Sequence, residues 1–129
     1  MGKGAFVSVT NNRREAVKLF VKGQHCMYDD GAEGSRVSYF NNLTVAAGQT
    51  LPNAKGQYVE AKASSTGGDT CGTEASGFDV EVNVETTELG TFAISERWNQ
   101  YHGETTNDDD LKVNVGRGGD QDTIQLTIT

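Results

Sequence analysis

Residues 78–84 read Phe-Asp-Val-Glu-Val-Asn-Val, with an apolar side chain at every second position and an acid or amide between. A period of two is that of a β-strand with one dry face and one wet face. Leu111, Val113 and Val115 repeat the pattern, as do Ile124, Leu126 and Ile128, and Phe92, Ile94, Glu96 and Trp98 share one parity. Further strands are expected over 5–9, 17–21, 37–45 and 58–61, which makes eight or nine. Turn chemistry separates them at Asn11-Asn12, Asp30-Gly31, Ala47-Gly48, Thr66 to Asp69 and Gly116 to Asp120. Apolar residues recur at helical spacing nowhere over a useful length, and residues 13–17 predict one helical turn at most. Pro52 is expected in a loop, where it interrupts no strand. Clean alternation predicts an all-β, single-domain antiparallel β-sandwich spanning residues 1–129.

Composition narrows what such a sandwich can do. The chain has 129 residues and a formal net charge of −7. That balance argues against nucleic acid, whose binding needs Lys and Arg on phosphates. It argues equally against a purely electrostatic grip on anionic lipid. No apolar run approaches the ~18 residues of a membrane-spanning helix. The first residues show no apolar segment of a secretory signal, so the expected location is cytoplasmic or non-classically secreted, with action at membrane surfaces. Cys26 and Cys71 match no zinc or redox spacing; two reduced thiols are the expectation and a disulfide the alternative.

Catalytic patterns are missing at the level of sequence. His25 and Cys26 are neighbours, and neighbours on a strand point to opposite faces. There is no phosphate-cradling glycine loop, no HExxH and no nucleophile elbow, so no catalytic residue and no cofactor is assigned and the chain is not expected to be an enzyme. Asp108 to Asp110, Asp29-Asp30 with Glu33, and Asp120 with Asp122 are oxygen-rich loops of the kind calcium uses, but they equally serve solubility. No metal ligand is assigned.

The most distinctive stretch is Trp98-Asn99-Gln100-Tyr101-His102-Gly103-Glu104-Thr105-Thr106-Asn107, which holds the only tryptophan. By parity Trp98 continues the core face of its strand. The residues after it lack alternation, which predicts a loop at a sandwich end, where binding residues gather. Trp and Tyr suit a membrane interface, and an aromatic face can hold a quaternary ammonium.

This stretch resembles the aegerolysin signature Trp-Asp-Cys-Pro-Trp-Gly-Ser-Lys-Thr-Asn, with Trp98, Gly103, Thr106 and Asn107 at identical spacing. Residues 71–80 are similar to the family's Gly-Thr-x-Gly-x-Phe-Asp-Leu segment. Residues 23–38, with His25, Asp29, Asp30 and Gly31, follow its Gly-x-x-His…Asp-Gly-Asp stretch more loosely. Gln100 and Tyr101 stand where the family has Cys-Pro, and His102 where it has a second Trp. The resemblance implies a β-sandwich that recognises membrane lipids of sphingolipid type with zwitterionic head groups. It also implies cytolytic pores formed together with a larger perforin-type partner protein. The lipid-binding residues would be Trp98, Tyr101, His102 and Asn107, joined by Tyr28 and His25. The hairpin 78–84 with 92–98 is shorter than a membrane-crossing one, which makes the chain a membrane reader rather than a pore wall. The alternative is a soluble lectin-like sandwich in which Trp98 or Tyr101 stacks on a sugar beside Asn107, Asp108 and Asp109, with or without calcium. A structural or storage sandwich is the third reading.

Overall fold

The structure is a computed structural model that describes residues 3–29, 34–62 and 76–129. Among these residues ten strands form two five-stranded sheets packed face to face. In chain order they are β1 (Gly4–Asn11), β2 (Val17–His25), β3 (Leu43–Val45), β4 (Thr50–Leu51), β5 (Gln57–Glu60), β6 (Ser76–Val84), β7 (Thr87–Arg97), β8 (Gln100–Thr105), β9 (Leu111–Gly116) and β10 (Asp122–Ile128). One sheet runs β4-β1-β10-β9, with β5 also paired to β1, and the other runs β3-β2-β6-β7-β8. No helix among the described residues is long and apolar enough to cross a membrane.

The core follows from the alternation. Ala5, Val7 and Val9 of β1 and Ile124, Leu126 and Ile128 of β10 face Leu19, Phe78, Val80, Val82, Phe92 and Ile94 of the other sheet, all buried. Fully burying one such side chain is worth roughly 1.5–3 kcal/mol, so this interior carries the stability.

Four features depart from the expectations. The first sheet is mixed, because β1 and β10 pair in parallel, from Ala5↔Asp122 to Asn11↔Ile128. Residues 37–45 are not one strand. Val37 and Phe40 are both buried three residues apart, the repeat of a 3-10 turn over Val37–Phe40, and only Leu43–Val45 is extended. Asn42, at φ +60, resets the direction between them. The third departure is length: β6 and β7 run nine and eleven residues. The fourth is Cys26, which is disulfide-bonded rather than reduced. The chain's other cysteine, Cys71, lies outside the described residues. The pairing of His25 with Gly77 sets the start of β6 alongside the end of β2, and Cys26 follows directly after that end. The turns expected at Asp30-Gly31 and at Thr66 to Asp69 also lie outside the described residues.

Candidate functional site

Strands β7 and β8 are joined by Trp98 and Asn99 alone, since Arg97 pairs with Gln100. Both turn residues are left-handed, at φ +57 and +62. That is the signature of a type I′ turn, whose twist matches that of the flanking strands. Asparagine tolerates this conformation, but a bulky non-glycine residue there is strained. The turn also breaks parity. Trp98 leaves the inward row of Phe92, Ile94 and Glu96 and projects into solvent, 71% exposed, the one exposed large hydrophobic side chain among the described residues.

The remainder of the stretch is an edge strand rather than a loop, and Tyr101, Gly103 and Thr105 take its inward positions opposite Glu96, Ile94 and Phe92. Tyr101 is therefore core. It is fully buried, its hydroxyl donates to the Lys3 carbonyl at 2.8 Å, and its N–H donates to Asp122 Oδ2 at 2.9 Å. Burial pushes its phenol far above the ordinary value. Tyr101 has no surface to offer a ligand.

His102 points to the opposite, outer face and is half-buried. The pairs His25↔Gly77, Gly77↔Ser95 and Ser95↔His102 place both histidines on one row across the outer sheet face, with two strands between them. A Cβ on Gly77 would collide with the Ile94 carbonyl, so this row has a gap at its second position. Tyr28, half-buried, lies just past β2. Its N–H donates to the Glu60 carbonyl at 2.9 Å, and the Lys62 ammonium stands 5.9 Å from its ring centre. The Met27–Ala61 bridge and the Ala61 N–H on the Lys3 carbonyl tie this segment to the end of the sandwich that Tyr101 reaches.

Asn107 lies elsewhere. It follows the far end of β8, about 20 Å from the Trp98 turn at the rise of a strand. Its side-chain amide donates to the Leu89 carbonyl at 2.8 Å and to Asp110 Oδ2 at 2.9 Å, closing the turn into β9. It holds the fold and does not join the others. Of the six residues, Trp98, Tyr28, His25 and His102 reach or approach one end of the molecule; Tyr101 is beneath them and Asn107 is away from them.

A group the sequence pattern did not single out lies under the turn. Glu96 is fully buried between Ser76 on β6 and Tyr101 on β8. Its Oε2 accepts the Asn99 N–H at 3.0 Å, and its Oε1 has no partner among the described residues. Burial raises its carboxyl above the ordinary value, and Asp122 adds to this, while the Asn99 N–H and the Lys3 ammonium oppose it. Asp122 is itself buried, 3.8 Å from Lys3 Nζ. Glu60 is buried too, with the Tyr58 hydroxyl donating to its Oε1 at 2.5 Å. Glu96, Asp122 and Glu60 thus turn inward, whereas Arg97, Lys62 and Arg117 are exposed, with Asp120 the exposed acid in the same loop as Arg117. Arg117 also donates to the Tyr101 carbonyl, which fastens the β9–β10 loop to β8. Among the described residues no three His, Cys, Asp or Glu side chains converge as metal ligands would.

No family model and no curated relative matches the chain. Its fold is similar to that of RahU protein, solved in complex with a Tris molecule, with TM-score 0.55 and 14% identity over 98% of this chain and 96% of that one. It is also similar to IP-1A from Alcaligenes faecalis, with TM-score 0.53 and 9% identity over 99% of this chain and 92% of that one. At such identities the likeness is one of fold.

Proposed function

We propose that this chain is an aegerolysin-like protein that recognises membrane lipid through the end of the sandwich displaying Trp98. The observation that carries the reading is the Trp98 turn: a lone indole held in solvent, in a strained backbone conformation, with no packing role to justify it. An indole is at home at the membrane–water interface, with its ring among the first methylenes and its N–H toward the head groups.

The charges around it support zwitterionic head groups. The chain as a whole is acidic, which disfavours anionic surfaces. Locally, though, Arg97, Lys62 and Arg117 are exposed against one exposed acid, Asp120, while Glu96, Asp122 and Glu60 are buried. A guanidinium suits a head-group phosphate, and an aromatic face suits the ammonium beyond it. The family resemblance supports sphingolipid as the lipid class and a larger perforin-type protein as the partner that builds the pore.

The chain is a poor pore wall itself. The β6–β7 hairpin is long enough to cross a bilayer, but its apolar face is the sandwich core and its outer face carries Asp79 and Glu81. The role is binding, with no catalysis by this chain.

Because Trp98 is the only tryptophan, its fluorescence reports on this site alone. Vesicles of sphingomyelin with cholesterol, ceramide phosphoethanolamine with cholesterol, and phosphatidylcholine alone form the test panel. A blue shift of the emission with co-sedimentation on the sphingolipid vesicles, lost from the sedimentation assay in Trp98→Ala, is the expected result. Unshifted emission and no sedimentation on all three would sink the reading.

A further inference from the structure

The outer face of the mixed sheet carries a trough that does not include Trp98 and meets the Trp98 end only at the β9–β10 loop. The parallel pairing of β1 with β10 sets Phe6 beside Thr123, Ser8 beside Gln125, and Thr10 beside Thr127, all on the face opposite the core, with Ser8 mostly covered at the floor. Two adjoining hollows of about 440 and 290 Å³ lie along this row and share Ser8, Ala54 and Gln125. Ala54 and Lys55, on the loop between β4 and β5, wall the larger hollow on one side, and Asp120 and Gln121 wall it on the other. Gly56 is what lets that loop come so close. It has φ +106, and a Cβ there would press on the Val7 backbone at 2.8 Å.

The chemistry of the lining is selective. At one end lies the Phe6 ring, half-buried and tilted against Tyr58 at 5.4 Å, with the Lys55 ammonium 4.9 Å from its centre. Beyond the ring the larger hollow exposes more carbon than polar surface, and hydroxyls and amides are set along both hollows: Ser8, Thr10, Asn12, Thr123, Gln125 and Thr127. Thr10 and Thr50 bond each other at 2.8 Å, whereas the hydroxyls of Ser8, Thr123 and Thr127 make no protein hydrogen bond among the described residues. Hydroxyls and amides both donate and accept, as sugar hydroxyls do. The face of an aromatic ring is negative and attracts the positively polarised C–H face of a pyranose, for which the Lys55 ammonium is the resident substitute.

Other occupants fit less well. An acyl chain would match the carbon of the larger hollow but would leave the hydroxyls along the rest of the trough unpaired. A phosphate-rich ligand would find one lysine opposed by Asp120. A peptide strand could not extend the sheet, because the backbone of this face is already paired on both sides of β1 and β10.

We propose that this trough is a binding site for a neutral saccharide, with one pyranose stacked on Phe6 and further units hydrogen-bonded along Ser8, Gln125 and Thr127. Its size is within the range of small-ligand sites.

The whole chain applied to an array of neutral and sialylated glycans identifies the ligand, and calorimetry with the strongest free oligosaccharide measures it. Neutral glycans should bind, with amide NMR shifts at Ser8 and Gln125. Phe6→Ala should weaken binding about tenfold or more. Thr123→Arg, an exposed position that fills the hollow without touching the core, should abolish it and guards against misfolding of the Phe6 variant. Trp98→Ala should leave glycan binding intact, and Thr123→Arg should leave vesicle binding intact, so the two sites stand or fall separately. No neutral glycan on the array, a preference for sialylated ones, or binding indifferent to Thr123→Arg would overturn the proposal.

Discussion

At one end of β8 an indole stands 71% exposed on two left-handed residues, above a buried carboxylate with one oxygen unpartnered among the described residues. At the other end the chain is bonded at each step. The Thr106 hydroxyl accepts the Thr91 N–H at 2.9 Å, Asn107 closes the turn, and its carbonyl accepts the Leu111 N–H at 2.9 Å. Both ends belong to the ten-residue stretch that resembles a family signature. Three of its four matching residues, Gly103, Thr106 and Asn107, serve the second end, where they fix strands together. Only Trp98 belongs to the first end, where stability does not explain the residue. A motif match of this kind therefore speaks mostly for the fold and, through a single residue, for the function.

The largest effect should come from Gly103. A Cβ there would collide with the Val113 side chain, a β-branched residue on β9 with little freedom to move aside. Gly103→Ala is expected to destabilise the chain by about 1–3 kcal/mol, as overpacking does. Asn107→Ala follows, removing the donors to Leu89 and Asp110 for a loss of about 1–2 kcal/mol. Both losses are read by urea denaturation, and vesicle binding by the molecules still folded should be unchanged. An Asn107 variant of native stability that fails on vesicles would reverse the comparison.

Legibility in the sequence divides along the same line. Strands 78–84, 111–115 and 124–128 are plain because their inward residues are aliphatic. Strand β8 is hidden because its inward residues are Tyr101, Gly103 and Thr105, which do not look like a dry face. Trp98 reads as core by parity, and only the two-residue turn, with its Arg97–Gln100 pair, shows the parity ending one residue earlier. Glu96 is misleading in the other direction, since an acid at an inward position looks like the end of a buried row but is fully buried. The parallel pairing of β1 with β10 joins chain segments more than a hundred residues apart, and local alternation carries no information about that.

Glu96 makes the strained end sensitive to pH. Burial raises its carboxyl above the ordinary 4.5, so in the window just above 4.5 the folded chain holds more protons than the unfolded one. Stability then falls as pH rises through that window and is regained on acidification toward 4.5. Glu96→Gln keeps an oxygen for the Asn99 N–H and removes the buried charge. It is expected to raise stability at pH 7 by about 1 kcal/mol and to flatten the decline measured by thermal melts between pH 4.5 and 7. A variant less stable than the parent at pH 7 would show that the charge itself holds the turn, through Lys3.

The smallest change in stability should come from Trp98, and with it the sharpest separation of the two ends. At φ +57 the indole backbone is strained, and glycine adopts that conformation freely. Trp98→Gly relieves strain worth about 1–3 kcal/mol, offset in part by the extra chain entropy of glycine when unfolded. The expected net is a gain of about 0.5–1 kcal/mol in urea denaturation, together with loss of co-sedimentation on sphingolipid vesicles. Trp98→Asn, which also tolerates the left-handed turn, should behave in the same way. A more stable protein that no longer binds is what a residue kept for recognition predicts. If either variant is destabilised by more than 1 kcal/mol, Trp98 contributes to folding after all, and the contrast between the two ends of β8 disappears.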